Sequence, residues 1–173
     1  MEYIVLGRTG LKISRLGFGG IPIQRIDAEK SKELLAAVRA AGINFIDTAR
    51  GYTVSDELIG VAIEGHRDEF VLATKSMARD KASMARDIEI SLKNLRTDHI
   101  DLYQIHNCPP EQLEQVCGED GALAALMEAK LPARLVTSVL LPILWRPSKR
   151  RWRSTGWKLS CSLITSWKTR AKS

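Results

Sequence analysis

Apolar residues follow two spacings along the first 130 residues, and the two spacings alternate. Continuous apolar runs, typical of strands covered on both faces, occur at 15–20, 44–48, 70–75 and 100–106. Stretches with helical spacing follow them, beginning at Asp27 and then covering 55–64, 83–95 and 121–130. Alternating strands and helices predict right-handed βαβ units and a parallel sheet. Ser55 is expected to cap the second helix, with Asp56 and Glu57 in its first turn.

Ahead of this alternation, the extended runs 3–6 and 11–14 flank a glycine-containing turn and predict a β-hairpin. A complete (β/α)8 barrel needs about 250 residues, and the chain has 173. The predicted fold class is therefore α/β, the N-terminal half of a (β/α)8 TIM barrel preceded by a β-hairpin. We place this partial barrel, a hairpin plus four βα units, in residues 1–130 and a separate tail in residues 131–173.

Ionisable residues close three of the predicted strands. Asp47 lies at the end of one strand with Tyr52 in the loop that follows, and Lys75 and His106 end the next two. Carboxyl ends of barrel strands form the active face, so the four side chains are expected to meet in one pocket. Taken singly, each also has an ordinary structural explanation, such as a loop cap for Asp47 or a backbone contact for His106.

These residues lie in motifs that resemble the aldo-keto reductase family, namely GRTGLKISRLGFGG, GINFIDTARGY, SDELIG, FVLATKS and LRTDHIDLYQIHN. The resemblance implies an NADP(H)-dependent oxidoreductase that reduces a small aldehyde or ketone, with Tyr52 as general acid. A free tyrosine has a pKa of about 10, so the ammonium of Lys75 is expected to lower the pKa of the phenol. Asp47 would hold Lys75, and His106 would orient the substrate carbonyl.

The resemblance also implies contacts with NADP(H) at Gly19, Gly20, Ile21 and Asp47. The segment GFGG is not a dinucleotide-binding Rossmann fingerprint. Gly60 is expected to serve close helix packing. The positions through which the family binds most of the cofactor would follow residue 130, and none is recognisable there.

The N-terminus, the apolar runs and the cysteines indicate where the protein is located and whether it binds a metal. The N-terminus lacks a secretory pattern and no apolar run is long enough to span a bilayer, so a cytoplasmic protein without membrane contact is expected. Cys108, Cys117 and Cys161 lack the paired spacing of a metal site, so no metal is predicted and the thiols are expected to be reduced.

The tail differs in composition from the rest of the chain. Residues 131–173 hold 10 Lys and Arg, no acidic residue and all four tryptophans, whereas residues 1–130 hold 16 basic and 20 acidic residues. We expect the tail to be irregular. The basic run 149–153 could contact nucleic acid, but we favour a non-functional origin and predict no nucleic-acid partner.

Our hypothesis for that origin is a frameshift near Lys130, either real or a sequencing error. Codons can be chosen for residues 131–143 such that reading two bases later spells AGKTRHIGITSH, close to the family's fifth strand. Each codon of the shifted frame takes its middle base from the first base of the codon for the next residue, so the protein sequence largely determines that base. The choice among synonymous codons therefore does not by itself produce the match. Two alternatives stay open, a truncated inactive fragment of such an enzyme and a non-catalytic barrel subunit.

Overall fold

A computed structural model of the chain describes residues 1–7, 9–130 and 135–140, the last six as backbone. The predicted hairpin is present, formed by β1 (Tyr3–Val5) and β2 (Lys12–Ser14), which pair antiparallel with Ile4 opposite Ile13. Leu6 and Leu11, from the hairpin's turn, pack against a small cluster that includes Phe45, Ala73 and Leu102. The hairpin therefore covers apolar residues of the main sheet.

The main sheet has five parallel strands in the order β3-β4-β5-β6-β7. Their bounds are β3 (Gly17–Gly19), β4 (Phe45–Asp47), β5 (Val71–Ser76), β6 (Ile100–Ile105) and β7 (Leu135–Leu140). Neighbouring strands follow each other along the chain, which is the order that successive right-handed βαβ units produce. The register sets Asp47 beside Ala73 and Lys75 beside Gln104, so residues near the strand ends share one edge.

Helices separate the strands, with bounds α1 (Ala28–Ala40), α2 (Ser55–Ala62), α3 (Lys81–Asn94), α4 (Leu113–Cys117) and α5 (Ala122–Lys130). Asp27 caps α1 by accepting from the backbone N–H of Lys30, and Asp80 caps α3 by accepting from that of Ser83. Asp80 places the start of α3 two residues before the predicted one. Three 3-10 turns, at Ile21–Arg25, Arg67–Glu69 and Pro110–Gln112, join the strands and helices.

The hydrophobic core lies between the sheet and the helices. Its fully buried members include Ile46, Leu72 and Ile105 from the sheet and Leu35 and Ile88 from the helices. The prediction that Gly60 serves close helix packing is confirmed, because a Cβ at this position would lie 2.3 Å from the carbonyl oxygen of Asn94. Helices α2 and α3 can approach this closely only while residue 60 has no side chain.

Two local expectations differ from the structure. Ser55 does not cap α2. The cap position is Val54, which makes no side-chain hydrogen bond, and the Ser55 hydroxyl instead donates to the carbonyl of Gly20 (2.9 Å).

Residues 135–140 form β7 beside β6, where the tail was expected to be irregular. Their apolar and β-branched content favours a strand. The remainder of the tail, with its basic run, lies outside the described residues.

Across the described part of the chain, none of the helices is long and apolar enough to cross a membrane.

Candidate active site

The four predicted site residues meet at the carboxyl ends of β4, β5 and β6. Asp47 is the last residue of β4, Lys75 is the fifth of the six in β5, and His106 directly follows β6. Tyr52 lies in the loop after β4, where its backbone N–H donates to the carbonyl of Ala49 (2.9 Å). Parallel pairing of three consecutive strands brings residues far apart in sequence to one edge.

Lys75 is the most enclosed charge of this group. Its side chain is 8% exposed, and its ammonium donates to Asp47 Oδ2 at 2.6 Å and to the carbonyl of Thr48 at 2.7 Å. The carboxylate of Asp47 is 37% exposed and faces the open end of the strands. The ion pair therefore fixes the ammonium while one side of the carboxylate remains accessible.

Tyr52 lies next to both Lys75 and His106. The Lys75 ammonium is 5.4 Å from the centroid of the phenol ring, and the imidazole of His106 meets that ring edge-on with centroids 6.0 Å apart. Burial and, second, the negative charge of Asp47 raise the pKa of Tyr52. The expectation of a pKa lowered by Lys75 was wrong, because burial, the larger effect, and the charge of Asp47 both raise it. At neutral pH the phenol therefore retains its proton.

His106 is held in its neutral form. Burial, then the charge of Lys75, lower the pKa of the imidazole, Arg79 lowers it further, and Asp47 partly opposes them. Its Nδ1 is buried and accepts or donates no hydrogen bond among the described residues. A second N–H on a protonated ring would lack an acceptor at that position, which also favours the neutral imidazole.

The positions expected to contact the cofactor surround the end of β3. A Cβ at Gly19 would meet nothing within 4 Å, and Ile21 is 53% exposed, so both border open space near Asp47. An exposed apolar side chain and a partly exposed carboxylate beside this open space could border a bound ligand, with the carboxylate able to accept a hydrogen bond from a ligand hydroxyl. Gly20 differs, since a Cβ there would lie 2.7 Å from Ser55 Oγ, so its lack of a side chain serves packing.

Sequence reasoning missed a hydrogen-bonded group behind the site. Thr48 donates to Asp56 Oδ1 (2.8 Å) and pairs with the hydroxyl of Ser55 (2.9 Å), which bonds Gly20. Asp56 is 1% exposed rather than an exposed first-turn acid, and burial raises its pKa. Its position three residues before Ile59, a fully buried residue of α2, was the available signal, because that spacing places both on one helix face.

Arg79 was also missed. Its guanidinium lies between the loops after β5 and β6 and donates to the carbonyl of His106 at 2.9 Å. A basic residue just before a helix cap carries no sequence signal for such a contact, because the acceptors in the loop after β6 and at Gln112 lie 27 residues or more along the chain.

Comparison with known proteins agrees with this geometry. The sequence profile described as Aldo/keto reductase family matches residues 15–130. Aldo-keto reductase YhdN of Bacillus subtilis is 38% identical over 125 residues, covering 61% of this chain and 38% of the relative. L-galactose dehydrogenase of Arabidopsis thaliana is 32% identical over 146 residues, covering 75% of this chain and 45% of the relative.

A solved structure, the holo form of aldo-keto reductase AKR11C1 from Bacillus halodurans, superposes with a TM-score of 0.72 at 29% identity, covering 83% of this chain and 51% of that one. The fold is thus similar to aldo-keto reductase TIM barrels, of which the described strands form about half. The chain spans about two fifths of the length of the two curated relatives.

Proposed function

Because this chain belongs to the aldo/keto reductase family of oxidoreductases, we propose that its described half barrel carries the proton-transfer half of a site for carbonyl reduction. The juxtaposition of Tyr52, Lys75 and His106 at one strand edge is the observation that supports this most directly. Proteins of this family generally use NAD(P)H and act on carbonyl compounds. The aldehyde or ketone would become the corresponding alcohol.

Tyr52 would donate its phenolic proton to the carbonyl oxygen as negative charge develops there. A raised pKa keeps that proton on the phenol before reaction. The ammonium of Lys75, 5.4 Å from the ring centroid, would hold the phenol ring in place through a cation–π contact. Asp47 holds the ammonium in place, and solvent restores the proton through the accessible side of the site.

His106 would orient the substrate. Because the buried Nδ1 has no partner among the described residues, we assign the hydrogen of the neutral imidazole to Nε2. That N–H can donate to the carbonyl oxygen, which fixes the reacting carbon relative to Tyr52. A permanently charged histidine would instead compete with the phenol as proton donor, so its lowered pKa suits an orienting role.

A bound reduced nicotinamide would supply the hydride to the carbonyl carbon. Gly19, Ile21 and Asp47 would hold its nicotinamide end, in keeping with the open space that they border. We further propose that the chain itself turns over negligibly, because about two fifths of a relative's length leaves most cofactor contacts to another stretch of sequence.

The test is a chimera of residues 1–130 of this chain with the second half of the Bacillus subtilis relative. Carbonyl-dependent oxidation of NADPH, followed with 4-nitrobenzaldehyde as probe, is expected in the chimera and not in the chain. Tyr52→Phe should lower the rate by about 10²-fold or more. Tyr3→Phe, which removes an exposed hydroxyl bonded to Gly42, is the matched control and should leave the rate unchanged. An unaltered rate in Tyr52→Phe would overturn the role proposed for the phenol.

A further inference from the structure

We propose that Arg79 is a positioning residue for His106, joining the loop after β5 to the loop after β6 and holding the imidazole against Tyr52. The inference rests on the proposed function only in taking His106 as the group that orients the substrate. The contact itself is a property of the described fold.

All five N–H donors of the Arg79 guanidinium have an acceptor. Nε donates to the side-chain oxygen of Gln112 (2.5 Å), and Nη1 donates to the carbonyls of Met77 (2.8 Å) and Ala78 (3.3 Å). Nη2 donates to the carbonyls of His106 (2.9 Å) and Asn107 (2.7 Å). The planar fork thus bonds its own loop on one side and the His106 loop on the other, a geometry that an ammonium cannot reproduce.

The chain turns sharply just after His106. Asn107 has φ of 50°, in the left-handed region, which asparagine adopts more readily than most residues with a side chain. This turn points the carbonyls of His106 and Asn107 to one guanidinium nitrogen. On the other side, the N–H of His106 donates to the carbonyl of Ser76 (2.8 Å). His106 is therefore bonded through both its N–H and its carbonyl to the β5 strand and loop. These contacts fix the position of its backbone, from which the imidazole ring extends.

The positive charge of Arg79 also supports the proposed role of His106, because it favours the neutral form of the imidazole. Its five acceptors are all neutral oxygens, so the guanidinium charge is not neutralised by them and favours an uncharged imidazole nearby. The charged or titratable groups that face His106 are Lys75 and Asp47 at the strand ends, Tyr52 in the loop after β4, and Arg79. Lys75 and Arg79 lower its pKa, and Asp47 raises it.

Arg67 offers a matched control at the opposite end of the same two strands. Its guanidinium donates to the carbonyls of Phe70 (2.8 Å) and His99 (3.0 Å) and forms an ion pair with Asp101 (2.7 Å). Both arginines link the segments at β5 and β6 through a fork of hydrogen bonds. Only Arg79 does so beside His106.

The experiment uses the full 173-residue chain and NMR, which needs no turnover. Arg79→Lys retains a positive charge but not the fork, and Arg67→Lys is the equivalent change at the far end. The observables are the NOE between the ring protons of His106 and Tyr52 and the titration of the His106 ring. We expect Arg79→Lys to weaken the NOE about twofold or more, and Arg67→Lys to leave both observables as in the parent chain.

Arg79→Met removes the charge as well and is expected to weaken the NOE and raise the pKa of His106. Should that variant fail to fold, Arg79→Lys decides the question alone. An NOE of parental intensity in Arg79→Lys, or an equal loss in Arg67→Lys, overturns the proposal. Because none of these readings depends on reduction of a carbonyl, failure of the proposed function would be seen separately, in the chimera.

Discussion

Asp56→Asn is expected to stabilise the protein at neutral pH, although it alters a fully buried residue. The carboxylate is 1% exposed, its Oδ1 accepts from Thr48, and its Oδ2 accepts no hydrogen bond from the described residues. Burial raises its pKa, and the opposing effects of Thr48, Arg50, Lys75 and Ser91 do not outweigh it. An asparagine keeps the oxygen that Thr48 needs and carries no charge to desolvate.

The magnitude follows from the buried charge, because the NH2 of asparagine replaces Oδ2 and is itself left without a partner shown in the structure. An unsatisfied charged group costs more than the about 1–3 kcal/mol of a neutral one, and the difference, again about 1–3 kcal/mol, is the expected gain. A group whose pKa is raised on folding contributes stability below its unfolded pKa and loses it as pH rises towards the folded value. The ordinary Asp value is 3.8. The gain of Asp56→Asn should therefore be largest at neutral pH and vanish as pH falls below that value.

Urea unfolding is the assay, with far-UV circular dichroism as the signal because all four tryptophans lie in the tail beyond residue 140. With a slope of about 2 kcal/mol per molar urea, the midpoint should rise by roughly 0.5–1.5 M. A midpoint that falls at neutral pH, or a gain that grows on acidification, would refute this reasoning about Asp56.

Other changes test neighbouring contacts. Asp47→Asn, chemically the same substitution, should destabilise the protein by about 1–3 kcal/mol in urea unfolding, because it leaves the Lys75 ammonium without its counter-charge. The loss is smaller than for a fully buried ion pair because Asp47 is partly exposed. Gly20→Ala should lower the midpoint through contact with Ser55, whereas Gly19→Ala, facing open space, should not. Resequencing the gene around codon 130 should reveal that the shifted reading frame encodes AGKTRHIGITSH. A single intact frame whose shifted reading lacks this segment contradicts the frameshift. Filter binding of nucleic acid should be absent or insensitive to salt.

The sequence allowed the hairpin, strands β3 to β6, helices α1, α2, α3 and α5, and the convergence of the four candidate side chains to be predicted for one physical reason, whereas β7 and α4 were not predicted. Apolar spacing identifies each element, and parallel strands bring their carboxyl ends to the same edge, so Asp47, Lys75 and His106 had to converge. The pKa of Tyr52 could not be predicted in this way. Its direction depends first on how deeply the folded loops bury the phenol and second on how close they bring it to Asp47, and neither can be derived from spacing in the sequence.

Side chains that join separate loops were equally inaccessible. Ser55 has the sequence signature of a helix cap, yet its hydroxyl bonds the end of β3, 35 residues earlier. Arg79 has no signature, because its acceptors are mainly backbone carbonyls, which every sequence contains. Such contacts depend on how adjacent βα loops meet, and spacing within one loop carries no information about its neighbour.

The contacts that arrange the candidate acid chemistry all lie within residues 45–112, on three consecutive strands and their loops. Asp47 pairs with Lys75 across β4 and β5, and Arg79 links the β5 loop to His106 and Gln112. Adjacent βα units thus suffice to align the proton donor, its ammonium and the imidazole. We therefore expect the alignment of Tyr52 and His106 to be observable in this chain even where carbonyl reduction is not, which makes NMR of these two rings the decisive measurement.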